Sequence, residues 1–232
     1  MEVVYTIEIA ARESVKDDLE KTLKEIRSFG VKEIDYGDEY CENGICSVFI
    51  EARVAGPWKK HVEFAKRFAP TVIEPVDSVT IQAKDFFEPI MKMVAQSRVL
   101  LRGSGIRIPY SNFSGPKHLS RDEIEELILD EHKYRVNVVI SASLQNPVIL
   151  LGAMERVGII NNYRVEKNLI GVDIIGDIGN IVMLLLYFLP VAVEPVEPIE
   201  YDLTVQEIGD VLMLISDRSR EIVEIKMKSG ST

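Results

Sequence analysis

The sequence predicts an α+β fold in which one βαββαβ module, followed by an extra helix, occurs twice along the chain. Three observations carry this. Apolar residues alternate or recur at helical spacing in the order strand, helix, strand, strand, helix, strand, helix, and the same order then begins again. The segment FAPTVIEPVD at residues 68–77 returns 120 residues later as FLPVAVEPVE, with Phe, Pro, Glu, Pro and Val in register and a carboxylate closing both. Between the copies runs RGSGIRIPYSNFSGPKHL, residues 102–119, whose Gly, Ser and Pro content fits neither periodicity.

Each element has a local cause. Residues 2–10 alternate as a half-buried strand does. Ser14 opens a helix with Asp17 three residues on, and Val15, Leu19, Leu23 and Ile26 fall on one stripe. Gly30 ends it, where a left-handed C-cap needs no Cβ. Residues 31–41 and 45–54 read as two strands around Asn43-Gly44, because both positions of such a turn favour positive φ. Pro57 sits at the first position of a second helix with Trp58, Val62, Ala65 and Phe68 as its buried stripe, and Pro70 stops it. Residues 71–81 form the fourth strand, and a helix starting near Asp85, with Glu88 as capping partner, runs to about Leu101. Beyond the Gly-rich run, Ser120 and Glu123 cap a short helix. Residues 134–143 form a Val- and Ile-rich strand; Asn146 and Pro147 start a helix that ends at Gly158. Residues 162–166 and 169–175 pair through Lys167-Asn168, residues 178–189 are a helix, residues 191–201 a strand, and Thr204 with Glu207 opens the last helix.

This divides the chain into a first module (1–101), a Gly/Ser/Arg-containing connector with a short helix (102–132) and a second module (133–232). A βαββαβ unit lays four antiparallel strands on one face of two helices, the ferredoxin-like arrangement. In each copy a Gly closes the first helix and apolar residues follow, Gly30-Val31 and Gly158-Ile159-Ile160. That turn resembles the equivalent one in ACT-type ligand-binding modules; the resemblance implies a ligand-binding fold and brings no ligand motif with it. The helix at 178–189 is apolar all round, whereas its counterpart carries Lys59, Lys60, Glu63, Lys66 and Arg67. A helix without a polar face must be covered on every side, which implies an interface with the other module, a homo-oligomer or a partner protein.

Composition narrows the function classes. The chain has 232 residues, 47% hydrophobic and 28% charged, with a net charge of -10. Its pI near 4.9 opposes generic nucleic-acid binding, which needs a field of Lys and Arg. The longest apolar run, residues 181–189, is far short of the roughly 20 residues of a membrane span. The start, MEVVYTIEIAARE, alternates and carries acids early, unlike a signal or transit peptide. A cytoplasmic protein without a membrane partner is expected. Glutamine occurs only at 82, 96, 145 and 206, which is compatible with a thermophile.

The chemistry concentrates in the connector. From Pro89 to Arg121 there is no Asp or Glu, while Lys92, Arg98, Arg102, Arg107, Lys117 and Arg121 supply six positive charges. At the overall frequency of 37 acids in 232 residues, about five would be expected there. Backbone N–H groups of a Gly103-Ser104-Gly105 turn can converge on an anion, with Arg102, Arg107 and Lys117 adding charge. It is not a nucleotide fingerprint: Ile108 stands where GxGxxG needs its third Gly, and the run follows a helix. The bland alternative is a tether whose cations face acids on the two modules. Cys41 and Cys46, the only cysteines, lie opposite each other across the Asn43-Gly44 hairpin, where a disulfide is geometrically conceivable; two thiols alone cannot fill a zinc site. Glu74, Asp77, Glu194 and Glu197 could meet around a hard cation, although strand-end carboxylates that guard an edge are the plainer reading. No catalytic spacing is present, and the sequence does not identify a cofactor. The sequence therefore points to a non-catalytic regulatory or assembly protein that grips a small anionic ligand or a partner at the connector. The rival is an enzyme acting on a phosphorylated or carboxylated molecule, with the connector as lid.

Overall fold

Val3, Tyr5 and Ile7 alternate with half-exposed residues, and that period of two makes β1 (Glu2–Arg12) a strand with one face in the core. The computed structural model describes residues 1–101, 112–142 and 146–229. In it β1 pairs antiparallel with β4 (Ile45–Ala55) on one side and β5 (Val72–Pro75) on the other. β2 (Glu33–Tyr36) and β3 (Tyr40–Glu42) share the far side of β4, giving the order β2-β4-β1-β5 with β3 beside β4. α1 (Lys16–Ser28) and α2 (Trp58–Phe68) bury Leu23, Ile26, Val62 and Phe64. Here the core is aromatic: the Tyr5 and Phe64 rings lie 4.5 Å apart, and Phe29 meets Phe64 edge-on at 5.6 Å.

The second sheet contains β7 (Tyr134–Ser141), β8 (Ile159–Glu166), β9 (Leu169–Gly176) and β10 (Ala192–Glu197), in the order β10-β7-β9-β8. Every pairing is antiparallel, and the chain visits the positions in the same sequence as in β5-β1-β4-β2. Its core is aliphatic, with Val136, Val138, Ile170, Val172 and Ile174 under α5 (Pro147–Met154) and α6 (Ile178–Phe188). α2 and α6 end alike: Ala69 (φ 44) and Leu189 (φ 50) are left-handed, and Pro70 and Pro190 follow.

Several expectations change in detail. The strand expected at 31–41 is two strands. Between Tyr36↔Ile50 and Tyr40↔Ser47, three residues, Gly37 to Glu39, oppose two on β4, so the ladder bulges. The strands expected at 71–81 and 191–201 also divide, into β5 and β6 (Val79–Gln82) and into β10 and β11 (Glu200–Leu203). Pro75 and Pro198 have no N–H to donate, so a continuous ladder is not available there. β6 and β11 instead pair as a separate two-stranded sheet. Ser14 is not the N-cap of α1. The helix starts after Val15, whose N–H donates to Glu39 Oε1 at 2.8 Å, while Ser14 Oγ accepts only the Lys16 N–H at 3.3 Å. Pro57 is likewise the N-cap of α2, not its first residue. By contrast, α4 (Arg121–Asp130) has the full Ser120–Glu123 capping box, Asn146 Oδ1 caps α5 through the Val148 N–H, and Thr204 Oγ1 accepts the Glu207 N–H.

By internal contacts the chain forms two compact units, Met1–Thr80 with Asp202–Thr232, and Ile81–Tyr201. Relative to the division in sequence order, the closing helix of each half is grouped with the other half. In the second unit α3 (Ala83–Leu100) packs on β10 and α6, and the Arg98 guanidinium donates to Pro190 O at 2.5 Å. In the first, α7 (Val205–Ser229) packs on α2 and β5, and Ser216 Oγ donates to Pro70 O at 2.7 Å. The apolar helix α6 is thus covered from within the chain, with Ile181, Val182, Leu184, Leu185 and Leu186 buried. Among the described residues no helix is long and apolar enough to cross a membrane.

Candidate ligand site on the second unit

From residue 112 onward the connector is tied to β8, the edge strand of the second sheet. The Lys117 N–H donates to Ile160 O at 2.9 Å and the His118 N–H to Asn161 O at 3.3 Å. The Leu119 N–H donates to Asn161 Oδ1 at 2.7 Å, and Phe113 meets the edge of the Tyr163 ring at 5.3 Å. Ser114 donates twice to the Glu155 carboxylate, from its N–H at 3.0 Å and its Oγ at 2.7 Å.

Asn161 is itself fixed from below. Its Nδ2 donates to Asp173 Oδ2 at 2.8 Å, and Arg135 forks onto both oxygens of Asp173 at 2.9 Å each. Hydrogen bonding to Asp173 raises the Arg135 pKa further, so the guanidinium stays charged. Arg135 also lies 3.8 Å from Glu197. The path Arg135–Asp173–Asn161–Leu119 joins three strands, β7, β9 and β8, to the connector beside Lys117.

Above this anchorage, where α5 gives way to β8, lies a concavity of about 420 Å³. Gly158 and Gly176 line its floor; Ser114, Lys117, Lys133, Glu155, Arg156 and Asp177 rise around it. The floor requires glycine: a Cβ on Gly158 would sit 2.6 Å from Ile175 O. Three cations meet two acids, but the acids are engaged. Glu155 accepts from Ser114, and Asp177 accepts from Asn180 Nδ2 at 3.1 Å instead of capping α6. Lys133 pairs with Glu131. Lys117 and Arg156 make no ion pair among the described residues. Asp177, the N-cap residue of α6, lines the concavity and makes no side-chain cap hydrogen bond. Lys117 also borders a second concavity, lined by Glu123, Glu126, Asp130 and Glu131.

Of the residues proposed from sequence, Arg102, Gly103, Ser104, Gly105 and Arg107 lie outside the described residues. Lys117 is at the concavity. The other described cations of the acid-free window each have a partner: Lys92 pairs with Glu88 at 2.6 Å and Arg121 with Glu125 at 2.8 Å, each within its own helix, and Arg98 donates to a carbonyl. Cys41 and Cys46 are joined as a disulfide across β3 and β4, with Cα atoms 4.0 Å apart. Glu74 and Asp77 are exposed in the first unit, while Glu194 and Glu197 belong to the second. Among the described residues none of these four joins a group of three close metal-ligating donors. Sequence reasoning passed over Arg135, Asp173, Arg156 and Asn161. A lone Arg and a lone Asp inside the apolar strands YRVNVVIS and LIGVDIIG were the available signal, because a charge in a half-buried strand needs a partner.

The fully buried His61 belongs to the first unit's core. Tyr5 OH donates to its Nδ1 at 2.9 Å and its Nε2–H reaches Gly56 O at 3.3 Å, while burial pushes its pKa down to about 4. A family model, that of the MJ0538 family, matches residues 2–229, and the chain belongs to that family. Among curated proteins and among solved structures, no match was found.

Proposed function

We propose that this member of the MJ0538 family is a non-catalytic, cytoplasmic regulatory or assembly protein that holds a small anion, a phosphate or carboxylate, in the concavity between the connector and the α5–β8 turn. The observation that carries this reading is Lys117. The connector is fastened to β8 on either side of it, yet its ammonium, like the Arg156 guanidinium, has no carboxylate partner among the described residues. Lys117 and Arg156 are the cations an anion would meet there; Glu155 and Asp177, which share the lining, keep their charge although Ser114 and Asn180 donate to them, so the anion must bind both cations closely.

The fold reading goes with it. Two ferredoxin-like halves derived by duplication are supported by the matching strand orders, by the left-handed residue before Pro70 and before Pro190, and by the FAPTVIEPVD repeat. The exchanged closing helices fit an ancestor that paired as a dimer by trading that helix. Self-association of the present protein would use a surface other than α6, which is already covered.

The test is a thermal-shift screen of inorganic phosphate, nucleotides and small carboxylates against the full chain. A stabiliser is expected, and Lys117→Ala with Arg156→Ala is expected to abolish its effect while leaving the unliganded melting temperature nearly unchanged. A ligand whose effect survives the double substitution places the site elsewhere. Turnover of a bound phosphate ester would favour the enzymatic reading.

A further inference from the structure

Glu39, Cys41 and Cys46 are brought together by a device that the hairpin alone does not need. The bulge at Gly37 to Glu39 shifts β3 by one residue against β4, and a bulge re-aims the side chains beside it. Glu39 consequently points at the start of α1, where its Oε1 accepts the Val15 N–H at 2.8 Å. Its Oε2 accepts nothing further among the described residues. The Glu39 carboxylate and the two Sγ atoms all lie within 4.8 Å of one another. Cys46 is buried against Val15 and Val48, whereas Glu39 and Cys41 are open to solvent. A fourth donor stands beside them: Glu13, held left-handed at φ 70, places its carbonyl oxygen 3.2 Å from Cys46 Sγ. A disulfide sulfur carries no proton, so that approach is a plain contact in the oxidised protein; a thiol or a metal ion would give the carbonyl a partner.

We propose that in the reduced protein Cys41, Cys46 and Glu39 form a binding site for a thiophilic divalent cation of the Zn²⁺ class, and that closure of the disulfide is what excludes the metal. Two thiolates and a carboxylate suit a borderline-soft ion, and the Glu13 carbonyl or a water completes four-coordination. Ligand atoms 2.0–2.3 Å from a shared ion stand at most about 4.6 Å apart, so small side-chain rotations suffice once the S–S bond is broken. A purely structural crosslink explains less. The cysteines are five residues apart and Asn43-Gly44 already closes their turn, so the bond constrains little chain; nor does a crosslink need a carboxylate beside it.

The steps balance. A dithiol reductant gives two electrons and two protons to the disulfide, yielding two thiols and its own disulfide. Binding of M²⁺ then displaces both thiol protons to solvent. The reverse, oxidation of the metal-bound thiolates by an external disulfide or peroxide, releases the ion and restores the crosslink.

The experiment titrates the full chain, reduced with a phosphine and kept anaerobic, with Co²⁺. One equivalent is expected to produce sulfur-to-cobalt charge transfer in the near-ultraviolet together with the intense visible bands of four-coordinate Co²⁺, both bleached by Zn²⁺. The oxidised protein is expected to show neither. Glu39→Gln should weaken Co²⁺ binding at least about tenfold while both thiols still titrate. Since Cys46→Ser risks the local core, alkylation of the unmodified reduced chain gives a second readout: Zn²⁺ should protect both cysteines. No charge transfer, or cysteines that alkylate at the same rate with and without Zn²⁺, overturns the proposal, as does equal Co²⁺ affinity of the oxidised form. These outcomes do not depend on Lys117 or Arg156, so the anion reading stands or falls separately.

Discussion

Gly30 follows directly on the C-cap of α1, whereas α5 ends at Met154, four residues before the Gly158 expected to end it, and the two glycines are required for different reasons. Gly30 is left-handed, φ 65, and its N–H bonds Arg27 O at 3.1 Å, as expected of a C-cap glycine. Gly158 is needed because β9 passes too close for any side chain. Gly158→Ala should therefore destabilise the protein by about 1–3 kcal/mol in urea unfolding and distort the proposed ligand concavity; an unchanged midpoint would mean that the turn has room to move. His61 gives a pH dependence of defined sign. In the folded protein burial holds it near 4, against an ordinary 6.5, so between these values the unfolded chain binds a proton that the folded chain refuses. Its contribution is complete above about pH 6.5 and is lost as pH falls towards 4, by up to about 3 kcal/mol. Urea midpoints at pH 7, 5.5 and 4.5 should fall in that order, and His61→Gln, though less stable at pH 7, should show a flatter decline. A parallel decline in both proteins would show that carboxylates, not His61, set the slope.

Among the elements, α3 separates reading by sequence order from reading by contact. Its periodicity identifies it as a helix with Phe86, Ile90, Met93 and Val94 inward, but not which sheet it covers. It lies on β10 and α6, so Ile90→Ala, at a fully buried position, should cost about 2–5 kcal/mol and raise amide exchange in α6 and β7 to β10 before it does so in β1 to β5. The opposite order of exchange would assign α3 to the first unit. Capping boxes at Ser120 and Thr204 were readable because both partners lie within one turn of the chain. The cap of α1 was not, because Glu39 reaches it from 24 residues away. The group of Glu39 with the two cysteines is local, within residues 39–46, and was hidden because the bulge that aims Glu39 leaves no mark on residue type or period.

At the level of the whole molecule, the exchange of closing helices makes residues 81–201 a continuous unit that contains its own cover, whereas residues 1–101 lack α7 and residues 112–232 lack α3. A fragment of residues 81–201 should unfold cooperatively, and a fragment of residues 112–232 should expose α6 and bind a hydrophobic dye. A stable 112–232 fragment would overturn the contact division. The amino-acid sequence by itself determined the α+β class, the type and order of the helices and most strands, the positive-φ Asn43-Gly44 turn and the repeat, because each is set by side-chain period or by residues a few positions apart. Tertiary structure alone decided which sheet each closing helix covers, that Arg156 and Lys133 stand beside Lys117, and that Glu39 stands beside Cys41 and Cys46. The first two placements join residues far apart in the chain and the third depends on a bulge at residues 37–39, whereas hydrophobic period specifies that a face is buried without specifying against what.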